Sequence, residues 1–219
     1  MINTPEPLRG KFISLEGGEG AGKSTQCELL VSHLRKRGLE VIQTREPGGT
    51  PGAQAIRELV VSGAGDRWNP ISEALLMYAA RRDHVTRLIE PALASGAWVV
   101  CDRFTDSTMA YQGYTKSLGR DWVETLDALV LDAFRPDLTL LLDIDANTGL
   151  MRAGSRGGPD RFEKLGLDFH VALREAFLDI ARLEPDRIAV IQADQTVDAI
   201  ARDIEIAVSH RLLSQDQAL

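Results

Sequence analysis

The sequence predicts an α/β protein: a five-stranded parallel sheet with helices on both faces. Three features predict it. First, five short apolar runs are bounded by glycine, proline or polar residues: KFISLE (11–16), LEVIQT (39–44), WVVCD (98–102), LTLLLDI (138–144) and RIAVIQA (187–193). Second, stretches of helical period separate each run from the next. Third, a glycine-rich segment, LEGGEGAGKST (15–25), lies between the first run and the first helix. Strands alternating with helices pair in parallel through right-handed crossovers, and ligands then bind beyond the carboxyl ends of the strands. Glu16–Gly22, Asp102–Arg103 and Asp143–Asp145 are therefore expected at one rim.

Each element has a local cause. The first helix, from about Gly22 to Arg37, carries Cys27, Leu30, Val31 and Leu34 at helical spacing, and Gly38 stops it. REPGGTPG (45–52) is a turn-rich loop, and a helix follows to about Ser62. Beyond the loop GAGDRWNP (63–70), the longest helical stretch runs from Ser72 to Ser95. Its expected inner stripe is Leu75, Tyr78, Val85, Leu88 and Ile89, with a kink at Pro91. Helical patterns fill the chain to about Ala133. RAGSRGGPDRFE (152–163) is rich in glycine and charge, has no apolar period, and reads as a mobile loop. A helix from about Leu165 to Leu183 and a terminal helix ending near Leu212 complete the pattern.

The chain has 219 residues and a formal net charge of −7. That length suits one domain, 1–219, with loose tails at 1–9 and 215–219. The negative balance argues against general affinity for nucleic acid or anionic membrane, so a polyanionic ligand needs a local cluster of cations. Cys27 and Cys101 are too few for a disulfide scaffold and too far apart for a metal pair, and read as reduced thiols of a cytoplasmic protein. The N-terminal MINTPEPLRGK lacks the apolar core of a signal peptide, and no run is long enough to span a membrane.

Gly17, Gly22, Lys23 and Ser24 fit G-x-x-x-x-G-K-[ST], with a strand before and a helix after. A phosphate chain must be surrounded by backbone N–H groups, and side chains at Gly17, Gly18, Gly20 or Gly22 would obstruct it or forbid the dihedrals. The following helix turns its positive end to the same anion. A nucleoside triphosphate is thus expected on Gly17 through Gly22, with Gly18, Glu19, Gly20 and Ala21 between them, and on Lys23, Ser24 and Thr25. Lys23 reaches the β- and γ-phosphates, and the Ser24 hydroxyl takes Mg²⁺.

The loop does not identify the acceptor. The N-K-x-D and D-x-x-G strings of a GTPase are absent. A small-molecule kinase needs a second anion site and a cover against water, and CDRF (101–104) fits the first. Asp102 would order the Mg²⁺ shell beside Ser24, and Arg103 would grip an acceptor phosphate. The 152–163 segment fits the cover, with Arg152, Arg156 and Arg161 as cations for the transferring phosphoryl group. Arg81 and Arg82 are adjacent on a helix, so at most one faces a pocket. These residues alone leave open another P-loop nucleoside or nucleotide kinase, or a non-catalytic nucleotide-binding regulatory protein.

LEGGEGAGKST, TREPGGT, EALLMYAARRDH, ALASGAWVVCDRFTDSTMAYQG, FRPDLTLLLDI and RGGPDRFE together resemble the bacterial thymidylate kinase family, over nearly all the chain after residue 10. The resemblance implies a P-loop nucleoside monophosphate kinase-like fold with a mobile lid over 152–163. It also implies ATP and dTMP as substrates, Mg²⁺, a product dTDP, and a cytoplasmic homodimer. It places Glu19 on the deoxyribose 3′-hydroxyl, Arg103 on the dTMP phosphate and Arg81 on thymine O4. Pro47, Ser107, Tyr111 and Gln112 would line the nucleoside pocket, with Tyr111 crowding the sugar 2′ position. One subtype carries an arginine beside the acid of the phosphate loop. Gly20 stands there in this chain, so it resembles the subtype in which lid arginines, Arg156 foremost, supply that charge. Where the family stacks phenylalanine on thymine this chain has Met77, followed by Tyr78; either would cover the ring.

Overall fold

The computed structural model describes residues 9–64, 66–132, 134–154, 161–162 and 165–213. Five parallel strands form one sheet: β1 Phe12–Glu16, β2 Val41–Arg45, β3 Trp98–Asp102, β4 Leu138–Asp143 and β5 Ile188–Gln192. Their spatial order is β2-β3-β1-β4-β5. β1 lies between β3 and β4, with Leu15 opposite Asp102 and Glu16 opposite Leu141. The carboxyl ends of β1 and β3 therefore meet at the rim the sequence predicts.

Both faces of the sheet are covered, as strands with nearly continuous apolar runs require. Alternate residues feed two cores. Phe12, Val99, Cys101 and Leu141 pack under the helical layer that includes α3 (Pro70–His84), α6 (Arg120–Leu131) and α8 (Leu167–Leu183). Ile13, Leu15, Val100, Leu140 and Leu142 pack under α1 (Lys23–Lys36) and α9 (Val197–Leu212). Cys27 and Cys101 are buried free thiols, pushed to high pKa by that burial.

Helix ends follow their capping chemistry. Thr50 accepts from the Ala53 N–H at the start of α2 (Pro51–Val61), and Asn69 from the Ser72 N–H at the start of α3. Both helices open with proline, where the missing N–H costs nothing. The expected long helix from Ser72 to Ser95 is divided. After α3 comes a π-helical segment, Val85–Ile89, and then α4, Glu90–Ala94, with Pro91 in its first turn. Proline cannot donate to the carbonyl behind it, and the wider turn absorbs the mismatch. Of the expected inner stripe, Tyr78, Val85 and Ile89 are buried, whereas Leu75 is 49% exposed. Between α5 (Thr105–Thr108) and α6 a second π-helical segment, Met109–Thr115, carries Tyr111 and Gln112. The expected loop from residue 152 begins later than anticipated, since α7 (Ala146–Gly154) carries Arg152 in its last turn.

Candidate active site

The glycine segment leaves β1 and enters α1 through Gly22, whose φ of 93° is the left-handed conformation that only glycine adopts freely. Gly20 also has positive φ, and a Cβ there would lie 1.8 Å from the carbonyl oxygen of Gly149 on α7. The loop backbone is thus pressed against α7, and no side chain fits at position 20. An arginine beside Glu19 is excluded by packing. Gly18 departs from the expectation, having neither positive φ nor a neighbour that a Cβ would meet.

The Lys23 side chain is buried, and its ammonium donates to the carbonyls of Gly17 at 3.1 Å and Gly18 at 2.8 Å. Burial and the nearby Arg103 pull its pKa down, while Glu19 and Asp102 act in the opposite direction. The Ser24 hydroxyl donates to Asp102 Oδ2 at 2.7 Å across the β1–β3 junction. A hydroxyl and a carboxylate oxygen are therefore adjacent beside the phosphate loop, and oxygen donors of this kind suit Mg²⁺.

Arg103 follows β3 in the left-handed conformation, φ 72°, which costs an ordinary residue roughly 1–2 kcal/mol. Its backbone N–H bonds the Leu15 carbonyl at 2.9 Å, continuing the pairing with β1. The guanidinium turns toward the phosphate loop. Nη1 donates to the Gly17 carbonyl and Ser107 Oγ, both at 3.1 Å, and Nη2 donates to Glu19 Oε1 at 2.7 Å. The Tyr111 hydroxyl also donates to Glu19 Oε1, at 2.7 Å. Burial would raise the Glu19 pKa, but Arg103, Lys23 and the Tyr111 hydroxyl outweigh it and bring it down to about 2. Glu19 is thus a carboxylate at any working pH.

A cavity of about 300 Å³ joins these groups, at the low end of the range for small-molecule sites. Glu19, Gly20, Gly22, Lys23 and Ser24 line it from the loop, and Asp102, Arg103, Ser107, Tyr111 and Gln112 from the chain after β3. Pro47 and Met77 also line it. Gln112 donates from Nε2 to the buried Glu73 carboxylate at 2.6 Å.

Four sequence-selected residues lie elsewhere or are otherwise engaged. Tyr78 does not line the cavity: it is buried in the core, and its hydroxyl donates to Asp127 at 2.9 Å. Of the two candidates for covering a base, Met77 faces the cavity. Arg81 is buried behind the lining, donating from Nε to Glu46 Oε2 at 2.6 Å, from Nη1 to Thr108 Oγ1 and from Nη2 to the Phe104 carbonyl. Glu46 itself lines the cavity and also contacts buried His84 Nδ1 at 2.9 Å. Arg152 is helical rather than in a loop, and donates to the Ala193 carbonyl at 2.9 Å. Arg161 is buried and ion-paired to Glu73. Arg156 lies outside the described residues.

Sequence reading missed Arg45, Arg57, Val61 and Phe162, all of which line the same cavity. Arg57 donates to the Pro47 carbonyl at 3.0 Å. Its signal was helical spacing: Ala53, Arg57 and Val61 recur every fourth residue, so they share one face of α2. Phe162 packs edge-on against Tyr111, ring centroids 5.5 Å apart.

The thymidylate kinase family profile matches residues 15–204. This chain belongs to the thymidylate kinase family. Its relatives include the thymidylate kinase of Caulobacter vibrioides, 56% identical over 204 residues, which cover 93% of this chain and 98% of that protein. The thymidylate kinase of Rhodopseudomonas palustris is 51% identical, over 96% of this chain and 94% of that one. Among solved structures, the thymidylate kinase of Ehrlichia chaffeensis superposes with a TM-score of 0.76 at 31% identity. It covers 91% of this chain and 99% of its own. The thymidylate kinase fold accounts for the topology, with the phosphate loop after β1 and the DRF turn after the adjacent β3.

Proposed function

We propose that this chain transfers the γ-phosphoryl group of ATP to dTMP, giving ADP and dTDP for dTTP synthesis. The observation that carries this reading is one cavity lined both by a triphosphate cradle and by a second set of cations. Lys23 and Ser24 belong to the first, and Arg103, Arg45 and Arg57 to the second. A nucleotide-binding regulator needs only the cradle. Family membership supplies thymidylate as the acceptor.

The reaction follows from this placement. Arg103 presents the dTMP phosphate, whose oxygen is already an adequate nucleophile, so no strong general base is required. That oxygen bonds to the γ-phosphorus as the bond to the β-bridging oxygen breaks, and ADP departs with the electron pair. Negative charge spreads over the transferred group. The loop N–H groups, Lys23 and a lid arginine offset it, and catalysis is mostly positioning. Phosphate oxygens would replace the Gly17 and Gly18 carbonyls as partners of Lys23. Mg²⁺ held by Ser24 and Asp102 would add positive charge at the β- and γ-oxygens.

Glu19 reaches the deoxyribose 3′-hydroxyl, and Tyr111 crowds the 2′ position against ribonucleotides. Pro47, Ser107 and Gln112 line the nucleoside, and Met77 lies on the thymine. Arg81 retains N–H groups beyond its three bonds, and through one of them it would meet thymine O4 from behind the lining. Methionine covers a ring through its polarizable sulfur but with less rigidity than an aromatic ring. Met77→Phe is therefore expected to lower the Kd for dTMP about threefold to tenfold, the gain of an aromatic contact. Calorimetry showing unchanged affinity would remove Met77 from the base site.

With position 20 closed to an arginine by Gly149, charge at the transferred group falls to the lid, and Arg156 is our choice. Arg156→Ala is expected to lower kcat about a hundredfold, the usual loss of one transition-state partner, with dTMP affinity nearly unchanged. A kcat within threefold of the parent would exclude it. A coupled assay with ATP, Mg²⁺ and a panel of dTMP, dUMP, dGMP and thymidine tests the whole reading. ADP formation must depend on dTMP and must favour it over the rest.

We also propose a Mg²⁺-dependent, cytoplasmic homodimer of a single domain. No described helix is long and apolar enough to cross a membrane. Leu59 on α2, Leu75 on α3 and Leu129 on α6 are exposed apolar residues that a second copy would cover. Sedimentation at the monomer mass would refute the dimer.

A further inference from the structure

The carboxylate of Glu16, at the end of β1, is buried and does not line the cavity. Three donors from the turn after β3 and from α5 converge on it. Its Oε1 accepts from the Phe104 N–H at 2.7 Å and the Ser107 N–H at 3.2 Å. Its Oε2 accepts from the Ser107 hydroxyl at 2.6 Å. Phe104 lies in the short turn and Ser107 in the helix α5 that follows it, and that turn begins with Arg103 in its left-handed conformation. An ordinary residue stays there only when its surroundings over-determine the backbone. The Glu16 carboxylate supplies that constraint from the neighbouring strand.

The same carboxylate sets the direction of a hydrogen-bond chain. A hydroxyl has one proton and two lone pairs. Ser107 commits its proton to Glu16 Oε2, so a lone pair faces Arg103 Nη1, which donates to it at 3.1 Å. A proton on Oε2 would put a donor where the Ser107 hydroxyl now donates, and would reverse this order. Burial already works against the charge, with Asp106 adding to it, and pushes the Glu16 pKa up to about 7. Arg103, the Ser107 hydroxyl and the Phe104 N–H hold it in the other direction.

We propose that Glu16 is a positioning residue for the acceptor site: it clamps the β3–α5 turn and, through Ser107, aims the Arg103 guanidinium at the acceptor phosphate. This rests on the reading of Arg103 as the acceptor-phosphate residue.

The decisive comparison is Glu16→Gln, which keeps shape and reach but presents an N–H₂ group where an acceptor oxygen faces Ser107. Calorimetric titration with dTMP and, separately, with a non-hydrolysable ATP analogue reads the effect. The expected result is at least a tenfold rise in the Kd for dTMP and less than a twofold change for the ATP analogue. Glu16→Gln combined with Ser107→Ala should be no worse for dTMP than the weaker-binding single variant, because both act along one chain. A dTMP Kd within twofold of the parent, equal losses for both ligands, or additive losses would each overturn the proposal. If Glu16→Gln does not fold, Ser107→Ala alone must weaken dTMP at least threefold and spare the ATP analogue; unchanged dTMP binding then overturns it. Arg103→Ala in the same titration separates the two ideas. If that variant binds dTMP normally, the acceptor-phosphate reading itself fails. If it loses dTMP while Glu16→Gln does not, only the clamp fails.

Discussion

Arg103→Ala is expected to lower kcat/KM for dTMP about a thousandfold while the KM for ATP stays within about threefold. The magnitude follows from losing charge-assisted, bidentate contacts to the acceptor phosphate. The residue is well placed for so large an effect. Its guanidinium touches the Gly17 carbonyl, Ser107 and Glu19, so it joins the donor loop to the acceptor wall. Removing it also strips Glu19 of its main cationic partner. The variant retains the left-handed backbone at position 103 without the bonds that justify it. Arg103→Gly should therefore be the more stable of the two by about 1 kcal/mol, and equally inactive. Steady-state kinetics with dTMP varied at saturating ATP provide the check. A thousandfold loss that appeared in ATP binding instead would assign Arg103 to the donor side.

Lys23→Ala is expected to lower kcat by about a thousandfold or more with dTMP binding little changed. In the structure the ammonium bonds two carbonyls of its own loop, so the cation stands where triphosphate oxygens would arrive. Losing one preorganised positive group at the transferred phosphoryl costs about two to three orders of magnitude in comparable sites, and Lys23 also orders the donor. Stability should change little, because removing a desolvated cation compensates for the two lost hydrogen bonds. Single-turnover transfer from labelled ATP, with melting temperature as the folding control, measures both. A variant that turns over like the parent would refute the phosphate-loop mechanism.

Both residues can be read from the sequence. Lys23 is legible because its neighbours in the chain create its environment: a strand, a run of bare backbone and a helix start follow one another within LEGGEGAGKST. Asp102 and Arg103 are legible for a similar reason, since they end an apolar run and the carboxyl ends of parallel strands share one rim. Helix-borne residues are harder to place. Arg81 and Arg57 are both arginines on helices beside the site, but Arg57 lines the cavity and Arg81 is held behind it by Glu46, Thr108 and Phe104. Met77 and Tyr78 are adjacent, and only the rotation of α3 about its axis turns the first into the cavity and the second onto Asp127. Arg161 reads as a loop cation, yet it is buried against Glu73.

The amino-acid order alone thus determined the five-stranded parallel architecture, the phosphate loop and the Lys23, Ser24 and Asp102 group. Those features depend on local succession and on strand polarity, which short-range physics sets. The tertiary structure decided which arginines reach the cavity, why Gly20 admits no side chain, and that Glu16 reaches across to the turn holding Arg103. Those outcomes depend on helix rotation and on contacts between segments more than 80 residues apart in sequence, which are settled only when the layers close-pack against each other.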